Sequence, residues 1–211
     1  MHSISSLPKT IPIFPLSGVI LLPRSRLPLN IFEPRYLSMV EDVLKTPDRL
    51  IGMAQPAPNS DLPGIGGVGC AGRIVKFAET DDRRYLITLA GVCRFSLAAS
   101  ATGFAPYHSG TLDWGNYSHD LRPATQSYAF DRPEFIALLK RYFEIQQLST
   151  DWDNLINADE EMLVNSLSMM CPFDATEKQA LLEAETVATR RQTLTALMEF
   201  ALRDAATGPI Q

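Results

Sequence analysis

The sequence predicts an α+β protein with its strands first and its helices last. A small β pseudo-barrel with one helix is expected over residues 1–125, then a bundle of about four α-helices over 126–211. Three observations carry this. Of the 12 glycines, 11 lie before that cut, and of the 15 prolines, 12 do; both residues punctuate turns and are poor in helix interiors. Charge divides at the same place, with 12 Lys+Arg against 10 Asp+Glu in the first part and 7 against 14 in the second. Finally, the first part shows short apolar runs broken by proline and glycine, which suit a curled sheet better than a parallel α/β sheet.

Taken in order, apolar runs at 11–16, 19–22, 27–32, 50–54, 68–78 and 85–97 predict strands. Asp81-Asp82-Arg83-Arg84 separates the last two and reads as a hairpin turn. One helix interrupts them: Pro34 suits a first helical position, and Tyr36/Leu37, Val40 and Val43/Leu44 recur at helical spacing until Lys45-Thr46-Pro47. Residues 55–67, rich in Pro and Gly, read as a surface loop. In the second part Asp131-Arg132-Pro133-Glu134 is a capping signal ahead of Phe135, Leu138/Leu139 and Tyr142/Phe143 on one stripe. A second helix is expected over 159–170 with Met162/Leu163, Ser166/Leu167 and Met170 inward. A third opens at the capping box Asp174-Ala175-Thr176-Glu177. A fourth runs over about 186–205, with Val187, Leu194, Leu197/Met198 and Ala201/Leu202 on one face, before Gly208-Pro209.

Composition excludes several classes. A net charge of −5 argues against a general nucleic-acid binder. Three widely spaced cysteines and three histidines supply neither a disulfide framework nor a histidine-rich metal site. The N-terminus lacks a basic n-region and its apolar run is broken by Pro12, Pro15 and Pro23, so no signal peptide is expected. With no stretch of roughly 18 apolar residues, no membrane association is expected and the location is expected to be cytoplasmic. Neither an internal repeat nor a low-complexity tract is present.

No catalytic constellation emerges. Gly64, Gly66 and Gly69 formally satisfy G-x-G-x-x-G, but strand-like residues follow where a dinucleotide site needs a helix. There is no P-loop and no G-x-S-x-G. His119-Asp120 lies in the irregular stretch 108–119 and reads as solvated loop. Cys93 alternates with apolar strand residues and reads as core, Asp159-Glu160-Glu161 favours a helix N-terminus, and Arg190-Arg191 reads as a polar helix face. No catalytic residue, metal ligand or cofactor is assigned.

The most distinctive stretch is Pro12-Ile13-Phe14-Pro15-Leu16 and then Leu27 to Tyr36, LPLNIFEPRY. Glu33 and Arg35 flank a proline at a strand-to-helix junction, where an ion pair would fix the corner. The order PIFPL, V-x-L-x-P and PLNIFEPRY resembles the N-terminal substrate-binding domain of Lon proteases. Asp82-Arg83-Arg84 with Leu89-Ala90-Gly91-Val92-Cys93-Arg94-Phe95 is similar to that family's D-G-R and R-F hairpin, with Asp81-Asp82-Arg83 in place of the frequent Asp-Gly. Glu177-Lys178-Gln179-Ala180-Leu181-Leu182-Glu183 followed by Thr189-Arg190-Arg191 is similar to its later helices.

This resemblance, from about residue 10 to 205, implies a PUA-like pseudo-barrel followed by a helical bundle. It also implies a non-catalytic role in recognising unfolded or exposed polypeptide segments, as adaptor or holdase, with a protease or chaperone acting in trans. The family's ATPase motifs and Ser-Lys dyad have no counterpart in the sequence, so a stand-alone member is expected. The candidate binding residues are Phe32, Glu33, Arg35 and Tyr36, at the seam between barrel and bundle, together with the loop 55–67. The alternative is an RNA or small-ligand module using Arg24, Arg26, Arg35, Arg73, Lys76, Arg83, Arg84 and Arg94 with aromatic stacking; the acidic helical part weighs against long duplexes.

Overall fold

Among the described residues six strands form: β1 (Thr10–Pro15), β2 (Arg26–Ile31), β3 (Leu50–Ala54), β4 (Val68–Glu79), β5 (Tyr85–Ala101) and β6 (His108–Asp113). They are seen in a computed structural model describing residues 4–58, 60, 64, 67–101, 104–122 and 130–207. Parts of the loop 55–67, the cut after Thr125 and Gly208-Pro209 lie outside the described residues. The sheet order is β2-β5-β4-β3-β1-β6, and β6 returns to pair with β5. β1 and β3 are parallel and every other pair is antiparallel.

Closure depends on the length of β5. Its first half pairs with β2, its last residues pair with β6, and β4 runs alongside much of it. Register shifts at Ala71/Gly72, Ile74/Lys76 and Leu97/Ala99 add the bends that let the sheet curl. Ile13, Ala71, Cys93, Phe95, Leu112 and Trp114 fill the interior. Small residues are required where the wall is crowded: a Cβ at Gly69 would meet the Phe95 ring and lie 2.6 Å from the Met53 carbonyl oxygen.

Two strand expectations change. Residues 19–22 are not a strand; Ile20, Leu21 and Leu22 are fully buried in a strap that lies against Gly72 and Gly91. Its backbone is held by Arg24 N–H donating to the Gly91 carbonyl (2.8 Å) and Gly91 N–H donating to the Ser25 carbonyl (2.9 Å). Conversely, 108–113 of the stretch read as irregular is β6, because pairing with β1 and β5 supplies an order that local sequence does not signal. The hairpin turn forms as expected, with Arg83 at φ 61° taking the left-handed conformation that a glycine would adopt freely.

Helix α1 (Pro34–Leu44) opens with proline in its first turn and buries Tyr36, Met39, Val40 and Val43 on one stripe. The remaining helices are α2 (Arg132–Ile145), α3 (Trp152–Asn157), α4 (Glu160–Met170), α5 (Ala175–Glu183) and α6 (Val187–Thr207). α3 is additional to the expected set: it is six residues long and has no buried position to create an apolar stripe.

Contacts divide the chain into Met1–Pro123 with Phe173–Leu182 on one side, and Ala124–Pro172 with Glu183–Gln211 on the other. Most of α5 therefore groups with the sheet. Gln55 Nε2 donates to the Ala175 carbonyl (2.7 Å), Gln179 Nε2 to the Val68 carbonyl (3.2 Å), and Arg94 Nη1 to the Leu182 carbonyl (3.0 Å), securing both ends of the helix.

In the helical unit, Asp131, Asp151 and Asp159 each accept an N–H from the first turn of their helix. α4 buries Leu163, Val164, Asn165, Leu167 and Ser168, so its inward face is rotated from the expected one and Met162 and Met170 are exposed. Asn165 explains the rotation. It accepts from Arg190 Nη1 (2.9 Å), whose Nη2 donates to the Ala184 carbonyl (3.2 Å). Arg190 is thus an interior strut, not part of a polar helix face, while Arg191 pairs with Glu160 at 3.5 Å. Among the described residues no helix is long and apolar enough to cross a membrane.

Candidate functional site

The corner at Phe32–Tyr36 is built by proline chemistry. Pro34 starts α1, and the Glu33 carbonyl accepts the N–H groups of Tyr36 (2.9 Å) and Leu37 (3.0 Å). The Glu33 carboxylate makes no cap bond and instead pairs with Arg35 at 2.9 Å, both side chains being about two-fifths exposed. Tyr36 is buried against Phe14, ring centroids 4.3 Å apart, with the Arg35 guanidinium 4.6 Å from its own ring centre. Phe32 is 62% exposed and has the Arg84 guanidinium 5.9 Å from its ring. The four candidate residues thus divide into one core anchor, one surface ion pair and one exposed aromatic.

Cross-strand register extends this surface beyond what the sequence reading named. Ala71 and Cys93 face each other in the barrel interior. Alternate positions outward along the same side give the rows Arg26–Ala90–Arg73, Pro28–Thr88–Lys76 and Asn30–Leu86–Ala78. Val75 is the extra residue of the β4 bulge. Leu86 is 46% and Val75 44% exposed, while Ile31, Ile74, Ile87 and Leu89, on the opposite side, are buried. A groove of about 790 Å³ lies at this end, with Pro28, Val75, Lys76, Leu86 and Thr88 in its lining. Leu86 and Val75 were missed because strand alternation reports which residues share a side, not which side is covered.

Arg94 and Asp120 form a buried ion pair, 1% and 4% exposed. Asp120 accepts from Arg94 Nε (2.9 Å), Nη2 (2.9 Å) and backbone N–H (3.0 Å). His119 Nε2 lies 3.0 Å from Arg94 Nη2. Reading His119-Asp120 as solvated loop therefore fails for Asp120, which ties β5 to the 3-10 turn Gly115–Leu121. Arg94 is also removed from the cations open to a phosphate. So are Arg24, bonded to the Asp120 and Arg122 carbonyls, and Arg35 and Arg84, paired with Glu33 and Asp82. Among the described residues no group of three or more His, Cys, Asp or Glu could hold a metal.

Cys93 is buried as expected, and its thiol is pushed up to about 12, first by burial and then by the Asp120 charge. Raised above its unfolded value, it stays a neutral thiol at pH 8, and its share of stability is lost only as pH climbs from about 8.5 toward the folded value. All three cysteines are buried thiols outside any disulfide, so a thiol-specific reagent at pH 8 should label none of them in the native protein and all three in denaturant. Rapid labelling of Cys93 in the folded protein would contradict this environment.

A closed strand barrel interrupted by one helix and followed in sequence by further helices is an α+β fold of the class seen in Lon N-terminal domains. The chain belongs to the family of the ATP-dependent protease La (LON) substrate-binding domain, whose model matches residues 10–199. It is 34% identical to Lon protease 2 of Sorangium cellulosum over 108 residues, which are 49% of this chain and 13% of that one. Against Lon protease of Desulfosudis oleivorans it is 32% identical over 93 residues, 42% of this chain and 11% of that one. The aligned region is thus about an eighth of these relatives' length.

In fold it is similar to the crystal structure of a Lon N-terminal domain protein from Xanthomonas campestris, with TM-score 0.62, 22% identity, and coverage of 89% and 97% of the two chains. It is also similar to the N-terminal domain of the Mycobacterium avium complex Lon protease, with TM-score 0.64, 16% identity, and coverage of 90% and 98%.

Proposed function

We propose that this chain is a non-catalytic polypeptide-recognition module that captures exposed apolar segments of other proteins in the groove lined by Leu86 and Val75, next to the exposed Phe32. The supporting observation is the grouping of exposed large apolar side chains, Phe32, Leu86 and Val75, at one end of a sheet whose other side buries Ile31, Ile74, Ile87 and Leu89 and leaves Phe77 44% exposed. Water is released from such a strip when an apolar segment covers it, contributing about 25 cal/mol per Å² before the losses of association. A rigid sheet backbone beneath it limits those losses. The family's role in binding substrate is consistent with this reading, and a protease or chaperone in trans is the partner it calls for.

A labelled, permanently unfolded polypeptide titrated with the protein should show saturable anisotropy, competed by unfolded but not by folded competitor. Leu86→Asp should weaken that binding at least tenfold, because it removes the central apolar contact and puts a charge where the incoming segment must shed water, while the melting temperature stays close to that of the parent. Absence of binding, or displacement by a short single-stranded RNA with steep salt dependence, would overturn the proposal and favour the nucleic-acid alternative.

A further inference from the structure

Resting on that reading, we infer that the groove selects a particular class of segment: extended chains in which an apolar residue is followed, at alternate positions, by Asp or Glu. The three rows on the groove side of β2, β5 and β4 grade from apolar to cationic. Leu86 sits in the row nearest Phe32, Lys76 in the next, and Arg26 with Arg73 in the third. No carboxylate occupies this side of the three rows. The nearest acids are committed elsewhere: Asp82 pairs with Arg84 at 2.8 Å, Glu33 pairs with Arg35 at 2.9 Å, and Glu79 lies opposite Tyr85 in the register that faces the other side.

Among the described residues, Arg26, Arg73 and Lys76 have no hydrogen-bond or ion-pair partner for their side chains. This is a local feature, because the whole chain carries a net charge of −5. Charge complementarity therefore points to an anionic occupant, and the aliphatic Leu86 and Val75 next to it to a polypeptide, since bases stack on aromatic rings and would use Phe32 alone.

Spacing makes the inference specific. Successive rows are two residues apart, roughly 7 Å. An extended segment also presents every second side chain to one side at that spacing. An apolar residue seated on Leu86 and Phe32 places its second neighbour over Lys76 and its fourth between Arg26 and Arg73. Exposed pairs are individually weak, so the selectivity is the sum of two or three of them.

The test uses the full chain and four labelled peptides of equal length around one shared apolar residue. Two carry Glu at the second and fourth positions or Lys at the same positions. The other two carry Glu at the first and third positions, or a neutral scramble. At low salt the second-and-fourth Glu peptide should bind about tenfold more tightly than the Lys peptide and more tightly than the out-of-phase one. The gap should nearly close at about 0.5 M salt, where screening is short-ranged. The exposed variants Arg26→Glu and Lys76→Glu should each reduce the preference several-fold, and together reverse it, with unchanged melting temperatures.

Equal binding of Glu and Lys peptides, or a preference that both variants leave intact, would overturn the charge selection while leaving polypeptide capture standing. Failure of all four peptides and of the unfolded polypeptide would overturn both.

Discussion

Asp120→Ala should lower the stability of the sheet unit by about 3–5 kcal/mol, because it strands the Arg94 guanidinium in the interior with its principal acceptor gone. Arg94 is 1% exposed and directs Nε, Nη2 and its backbone N–H at this one carboxylate. Its Nη1 donates to the Leu182 carbonyl, so the same side chain secures the C-terminal end of α5. Denaturant unfolding should show the loss, with a melting temperature lower by about 10 °C. The double variant Arg94→Met, Asp120→Leu should recover part of it, since replacing both partners removes the stranded charge; recovery stays incomplete because the Leu182 carbonyl loses its donor. A single-variant loss under about 1 kcal/mol would show that water reaches the site and that the pair is not a buried one.

Gly91→Ala should destabilise by about 3 kcal/mol, at the upper end of the overpacking range. Its Cβ would be driven onto the Leu22 carbonyl oxygen, with the Leu22 carbonyl carbon 2.8 Å and Pro23 Cα 3.2 Å away. All three are backbone atoms, so no rotamer change relieves the clash and the strap 19–23 must lift. Gly72→Ala, on the partner strand, meets the end of the Leu21 side chain at 2.6 Å and Leu89 Cβ at 2.9 Å, and should cost less because Leu21 can turn aside. Hydrogen exchange should localise the damage: the Arg24 and Gly91 amides, which close the strap onto β5, should lose protection in Gly91→Ala before the rest of the sheet does. Equal losses in the two variants would mean that the strap yields easily.

The candidate site was legible only in part. FEPRY announced its corner because Pro34 and the Glu33–Arg35 pair act within a few residues of one another. Phe32 was named, but its companions Leu86 and Val75 were not. Leu86 is exposed because nothing among the described residues covers that side of β5 at this end, and Val75 because a bulge in β4 inserts it, both outcomes of tertiary structure. Arg94 was misjudged for the same reason. A guanidinium between Cys93 and Phe95 on a strand reads as surface until both sides of that strand are seen to be covered, and its partners are 26 and 88 residues away.

Local pattern carries whatever short-range chemistry controls. This includes the order of strands before helices, the aspartate caps on α2 and α4, the turn at 80–84 and the proline start of α1. Tertiary structure alone decided that 19–22 is a buried strap, that 108–113 is a closing strand, that most of α5 groups with the sheet, and that Arg190 and Arg94 are interior. Each of these depends on which distant segment arrives to supply a hydrogen-bond partner or to cover an apolar surface, and local pattern carries no record of that arrival.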